Sequence, residues 1–417
     1  MRPRTLLLSL SALFAFLYPL VLLQKERIFS SASIMEGMAS WFWIAEPLSL
    51  MLFFFACAAV MRQKILCYAS IIAASFCLAF VAAEAYFSLP SLDAASNLDS
   101  AKIESRSSVY VKSGQATHIY EKDYFAPDPV LGYGPNPNGK MRVASRREKG
   151  DEVIYDVLYS IDEKGRRFTP DRGDKADAAI LLFGCSFTFG EGLNDRETFA
   201  WRLGEMLGEK FQVFNYGFHG YGAHQMLALA ESGRLDALGQ RYKQIYALYL
   251  TIRGHELRCV GLSPWDQSGP RYILENGAIK HDGKFSGGAT ADALFPRFRA
   301  YEQIKQKLIA AFAMHTHVAI IAQSMRELAA RYNAHALTVI WPDFTRIEPM
   351  LRDRGVRILP LADALPDYAS ERAKYAIKGD GHPNALANTR IAEALAAYIQ
   401  RHPYAAETKQ LDGAAGQ

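Results

Sequence analysis

The chain has 417 residues, with 47 Lys and Arg against 43 Asp and Glu, and half of its residues are apolar. A net charge of +4 without a long basic run argues against a nucleic-acid footprint. Five cysteines with no CxxC and no His/Cys cluster at ligand spacing argue against a structural zinc site.

The apolar content is uneven. Residues 1–89 hold three apolar stretches, 5–23, 41–61 and 65–89, each about long enough to cross a bilayer. The first has no clear small-residue cleavage site and two more follow it, so three spanning helices are expected in place of a cleaved signal. Arg2 and Arg4 precede the first stretch, and Arg62 and Lys64 lie between the second and third. Two crossings put both basic groups on one face, expected to be cytoplasmic, despite Lys25 and Arg27 in the intervening loop. An odd number of spans then delivers the rest of the chain outside the cytoplasm, in a bacterial cell to the periplasm. Glu46 falls in the second stretch near Trp41 and Trp43, which suits an interfacial position.

Residues 90–108 are polar and read as a linker. Residues 109–175 read as a small β-rich segment, with the alternating run 153–161 (VIYDVLYSI) and turn clusters such as 132–138 (GYGPNPN). From residue 176 to 402 strands alternate with helices. Ala178–Phe183 (AAILLF) is a continuous apolar run, as in a strand buried on both faces. Further strands are expected at 211–215, 244–252, 335–341 and 356–361, and helices at 197–207, 223–238, 318–332 and 385–399. This order predicts a five-stranded parallel sheet covered on both faces, with a site at the carboxyl ends of its strands. Residues 260–317 have weak periodicity and read as an insertion, and 403–417 as a polar tail.

Three loops carry chemistry. The first strand runs into Gly184-Cys185-Ser186-Phe187-Thr188-Phe189-Gly190. A serine there either faces a cleft as a nucleophile or caps local backbone groups. The second strand ends in Asn215-Tyr216-Gly217-Phe218-His219-Gly220-Tyr221-Gly222, whose glycines mark either a plain tight loop or a backbone N–H aimed at an oxyanion. Before the last helix stands Gly379-Asp380-Gly381-His382-Pro383-Asn384. Asp380 either orients His382 as a general base or caps a turn.

Together these motifs, over residues 178–399, resemble the SGNH/GDSL hydrolase family. The resemblance implies a three-layer α/β/α sandwich, with Ser186 as nucleophile, His382 as base and Asp380 as its orienter. It implies the N–H groups of Ser186 and Gly220 as oxyanion donors. Two departures stand out: Cys185 replaces the family's usual Asp, and the third strand ends in Arg253-Gly254-His255-Glu256 instead of Gly-Asn-Asp. His255 then occupies the place of the third donor, either donating through a ring N–H or standing as a satisfied structural histidine. The Asp-x-His spacing is similar to that of SGNH-type proteins of polysaccharide O-acetylation.

Other residues carry blander expectations. His219 and His224 are expected as loop and helix-start histidines, and Trp341-Pro342-Asp343 as a turn at the cleft rim. Arg253 and Arg258 either bind an anion or pair with local carboxylates. Cys185 and Cys259 are near enough in the implied sheet for a disulfide to be an open question. The expectation is a membrane-anchored extracytoplasmic serine esterase acting on an acylated small molecule or glycan, without cofactor or metal. The alternatives are a polysaccharide O-acyltransferase working with a membrane partner protein, and a non-catalytic glycan-binding or assembly protein.

Overall fold

The structure is a computed structural model. It describes residues 50–54, 57–58, 63–88, 102–104, 108–113, 116–147, 152–263, 265–275, 277–287 and 299–403. The expected span at 5–23, most of that at 41–61 and nearly all of the polar tail lie outside the described residues. The chain divides into two compact units, Met1–Ser96 with Gly288–Leu308, and Asn97–Gly287 with Ile309–Gln417.

In the first unit Lys64–Ser88 is a helix of 25 residues. Its stretch Lys64–Ala82 is long and apolar enough to cross a membrane, and Ile65, Phe76 and Leu78 are exposed along it. Gln306–Tyr332, within the helix Arg299–Tyr332, also meets that length and composition. Its Val318, Ile320, Ile321 and Leu328, however, are fully buried in the core of the second unit, so this part is a core helix. The helix runs unbroken through residue 317, where the insertion was expected to end.

The second unit is built on a parallel sheet. Its strands are β8 (Ala178–Phe183), β9 (Phe211–Asn215), β10 (Gln244–Thr251), β13 (His335–Ile340) and β14 (Ile358–Pro360), in the order β14-β13-β10-β8-β9. All six residues of β8 are buried. Side chains alternate across a strand, so Ala179, Leu181 and Phe183 enter one core with Leu227, Ile320 and Leu328. Ile180 and Leu182 enter the other with Leu203, Ile391 and Leu395. Helices Phe199–Leu207 and Ala385–Arg401 therefore cover one face, and Ala223–Glu231 with the buried part of Arg299–Tyr332 the other. Each buried Leu or Ile contributes about 1.5–3 kcal/mol of transfer free energy. The chain passes from β8 to β9 on one side and then to β10 on the other, which makes the carboxyl end of β8 a topological switch point.

A five-stranded antiparallel sheet precedes this core, in the order β1-β2-β3-β6-β7. It comprises β1 (Lys102–Glu104), β2 (Ser108–Ser113), β3 (Ala116–Glu121), β6 (Lys140–Arg147) and β7 (Val153–Ser160). It starts earlier than expected, because Lys102–Glu104 pairs antiparallel with β2 inside the stretch read as linker; three residues among Ser, Asp and Ala carry too little pattern to show a strand. Two hairpins, β4–β5 (Phe125–Asp128, Gly132–Pro135) and β11–β12 (Pro270–Glu275, Ala278–Lys284), complete the strands. The inner face of the antiparallel sheet, with Tyr120, Val143, Tyr155, Val157 and Tyr159, packs on Phe189, Phe218 and Tyr221 from loops at the carboxyl ends of β8 and β9. Arg167 is fully buried at the join and bridges to both Ile161 and Asn215.

Candidate active site

The three loops singled out in the sequence lie at the carboxyl end of the parallel sheet, and the first meets both of the others: Asn215 Nδ2 donates to the Thr188 carbonyl at 2.8 Å, and His382 reaches Ser186. After β8, Gly184 takes φ +150°, and a Cβ there would fall on the Thr188 side chain. The chain then makes one helical turn, Ser186–Phe189, closed by Gly190 at φ +84°. Ser186 is 6% exposed at the start of that turn.

His382 comes from the loop before the last helix. Gly379 and Gly381 flank Asp380 at φ +90° and +97°. Ile377 N–H donates to the His382 carbonyl at 2.8 Å, and Asp380 N–H to the Ile377 carbonyl at 3.1 Å. Asn384 then caps the helix by accepting from Ala387 N–H. The loop is thus pinned at both ends, and His382 Nε2 lies 2.9 Å from Ser186 Oγ. Its Nδ1 lies 2.5 Å from Asp380 Oδ1, which also accepts the His382 backbone N–H at 2.9 Å. Phe187, itself packed edge-on against buried Trp341, holds the other side of the ring at 5.4 Å.

A second carboxylate, not anticipated from the sequence, faces the same imidazole. Glu191 Oε2 lies 3.3 Å from His382 Nε2 and 2.6 Å from His219 Nδ1. Its Oε1 accepts from Tyr120 OH at 2.7 Å, with Tyr155 OH at 3.4 Å. His219 Nε2 bonds in turn to Tyr124 OH at 2.6 Å. His118 Nδ1 bonds Tyr155 OH at 2.8 Å, and its Nε2 stands 3.7 Å from Asp380 Oδ2, an oxygen with no hydrogen-bond partner among the described residues. The antiparallel sheet builds this wall by alternation. His118 and Tyr120 are two of the three buried positions of β3, and Tyr155 is one of those of β7. Ser145 of β6 lies in register between His118 and Tyr155 and is small enough for their side chains to meet over it. The one sequence signal was Glu191 itself, a lone carboxylate in the apolar run Phe-Gly-Glu-Gly-Leu.

The charges follow from this geometry. Burial alone would disfavour a charged His382, but the Asp380 and Glu191 carboxylates outweigh it and push its pKa up to about 9. Burial would raise Glu191, yet His219 first and then His382 hold it well below the usual carboxylate range. Asp380 is likewise lowered: burial raises it and Glu191 opposes it, but His382 prevails. His118 is lowered by burial despite Glu191 and Asp380, and so is neutral.

The remaining expected residues are placed as follows. Gly220 takes φ +74°, and a Cβ on it would lie 2.5 Å from Trp265 and from Tyr133 OH. Among the described residues its N–H has no hydrogen-bond partner. His255 is buried and bonds Tyr249 OH through Nδ1 at 2.7 Å, and among the described residues its Nε2 has no partner. Burial first, then Arg258, His317 and His224, keep it neutral. The structure shows no hydrogen bond between His255 and Ser186. His219, expected as a loop histidine, is buried in the Glu191 network. His224 is also buried, 3.9 Å from Asp266 Oδ1. Arg258 donates to the Tyr221 carbonyl at 2.9 Å, within the loop that carries Gly220. Cys185 and Cys259 are both buried and free, so no disulfide joins them. Among the described residues no group of three or more His, Cys, Asp or Glu is arranged to hold a metal.

No protein-family model and no curated protein matches the chain. Among solved structures it is similar to LAE5, an α/β hydrolase enzyme from the metagenome of Lake Arreo, Spain, at 15% identity and TM-score 0.32, covering 54% of this chain and 96% of that one. It is similar to Est24, a carbohydrate acetylesterase from Sinorhizobium meliloti, at 12% identity and TM-score 0.30, covering 54% and 99%. The inhibitor-bound M. smegmatis aryl esterase matches at 15% identity and TM-score 0.30, again over 54% and 99%.

Proposed function

We propose that the chain is a serine esterase working through an acyl-enzyme, with Ser186 as nucleophile, His382 as base and Asp380 as its orienter. The observation that carries this reading is the continuous line from Ser186 Oγ to His382 Nε2 at 2.9 Å and from His382 Nδ1 to Asp380 Oδ1 at 2.5 Å. His382 takes the Ser186 proton as Oγ attacks the ester carbonyl, then returns it to the leaving alcohol. Water, activated by the same imidazole, releases the acid. The N–H groups of Ser186 and Gly220 are the proposed oxyanion donors. His255, neutral and with an Nε2 that has no partner among the described residues, is the proposed third. Removing one such donor typically costs about 100–1,000-fold in rate.

The proposed substrate is a small O-acyl group, such as acetyl, on a glycan or other cell-envelope ester. The low exposure of Ser186 suits a small acyl group, and the apolar helix Lys64–Ser88 suits a membrane-anchored protein with an extracytoplasmic catalytic unit. Transfer of the acyl group to a sugar hydroxyl would use the same residues. The test is Ser186→Ala on the full-length chain. Hydrolysis of p-nitrophenyl acetate and covalent labelling by a fluorophosphonate probe are both expected to be lost. Wild-type rates in that variant would sink the reading, and an intact wild-type chain that no serine-directed probe labels would favour a non-catalytic binding role.

A further inference from the structure

We infer that Glu191 is a positioning residue for the base: a second carboxylate that engages His382 Nε2, the nitrogen that faces Ser186, while Asp380 engages Nδ1. This rests on the serine-esterase reading above and adds to it a feature that an Asp–His–Ser line does not contain.

The geometry leaves Glu191 little freedom. Oε1 is held by Tyr120 OH at 2.7 Å and approached by Tyr155 OH at 3.4 Å, and Oε2 by His219 Nδ1 at 2.6 Å. Those partners come from β3, β7 and the loop after β9, so the carboxylate cannot swing away without breaking bonds to three elements. Oε2 therefore remains 3.3 Å from His382 Nε2, next to Ser186 Oγ at 2.9 Å from the same nitrogen. A lone pair on Nε2 beside a fixed carboxylate is repulsive, whereas a proton there, on the nitrogen bonded to Ser186 Oγ, is stabilised by the Glu191 charge 3.3 Å away. The other groups facing the ring are Asp380 on its own loop, the Cys185 thiol, the Phe187 ring and the neutral His118 ring at 6.4 Å. Two carboxylates thus bracket one imidazole, which agrees with its raised pKa of about 9.

Two consequences follow for the reaction. The resting site holds His382 as the imidazolium, so the free base forms only as pH rises toward 9. Once formed, it is a strong base, because the imidazolium produced when Ser186 gives up its proton is paired on both sides. Glu191 takes no proton in any step.

The experiment compares full-length wild type with Glu191→Gln, following the fluorophosphonate labelling rate and kcat/KM for p-nitrophenyl acetate between pH 6 and 10. Removing an opposite charge at this distance is expected to move the acid limb down by about 1–3 pH units and to lower the high-pH plateau, since the base is weaker. A merely structural role would lower the rate at every pH and leave the midpoint in place, and that result overturns the inference. Histidine-selective 15N NMR of the wild-type chain provides a readout that needs no variant and no turnover. Both His382 nitrogens are expected to be protonated at pH 7, and a neutral ring there also overturns the inference. Absence of labelling in the wild type with a protonated His382 would instead remove the esterase reading and leave the Glu191 pairing standing.

Discussion

Asp380→Asn isolates the part played by the orienting carboxylate. Asp380 is buried, and Oδ1 receives both the Nδ1–H and the backbone N–H of His382. Unit charges about 4 Å apart interact by about 4 kcal/mol at an effective dielectric near 20, which corresponds to about a thousandfold in rate if it is lost from the transition state alone. The tautomer adds to this. An Asn amide can donate to Nδ1, which leaves the ring proton on Nε2. Glu191, 3.3 Å away on that side, favours the same tautomer. Nε2 then has no lone pair with which to accept the Ser186 proton. The combined loss is expected to reach about 10⁴-fold in kcat/KM, the scale known for the equivalent change in a serine-protease triad. The assay is p-nitrophenyl acetate hydrolysis across pH 7–10, alongside the fluorophosphonate labelling rate, with circular dichroism to confirm the fold. A loss below tenfold would refute the assignment of Asp380 as orienter. It would leave Glu191 as the carboxylate that matters.

Two further substitutions test how the site is held. In Gly220→Ala the new Cβ meets Trp265 and Tyr133 OH at 2.5 Å while the backbone sits at φ +74°, so the loop must shift; a loss of about 1–3 kcal/mol in stability is expected with a fall in kcat, because His219 next to it bonds Glu191. A denaturation midpoint and turnover equal to wild type would contradict this. Arg167→Ala removes a buried guanidinium that bonds Leu193 O at 2.8 Å, pairs with Asp195 at 2.9 Å and stacks on Tyr159 and Phe189. Breaking such a pair is expected to cost about 3–5 kcal/mol in urea unfolding, and a change under 1 kcal/mol would show that the join between the two sheets does not depend on it.

The parallel sheet was legible because its signal is local. Ala178–Phe183 is apolar at every position, and a strand covered on both faces requires that. Glycines at 184, 190, 379 and 381 marked sharp turns, and each takes a positive φ. The grouping of Ser186, Asp380 and His382 was expected from the family resemblance, because each motif alone also allowed a plain structural turn; in the structure His382 Nε2 lies 2.9 Å from Ser186 Oγ. Less could be read where the pattern is short or spread over distant segments. Lys102–Glu104 is too brief to show alternation. The long helix Arg299–Tyr332 hid its first part, because residues 299–317 have weak periodicity, whereas the continuous set of core residues begins at Val318.

Glu191 stands out locally only as a carboxylate in an apolar run, but its partners show in no local pattern, and they change how the antiparallel sheet should be understood. Its partners lie 71, 36 and 28 residues away in sequence, at Tyr120, Tyr155 and His219. Tyr120 and Tyr155 occupy alternate inward positions of strands whose pattern predicts only that they face a core. A buried carboxylate without such donors would shed its charge, because burial raises its pKa and only hydrogen bonds and nearby cations lower it. His219 and His382 keep Glu191 ionised, while Tyr120 and Tyr155 from the sheet fix its Oε1, and Asp380 together with Glu191 raises His382. The segment between the apolar N-terminus and the α/β core therefore supplies the electrostatic wall of the site. Without Glu191 the Ser186–His382–Asp380 line would keep only one of the two carboxylates that raise His382.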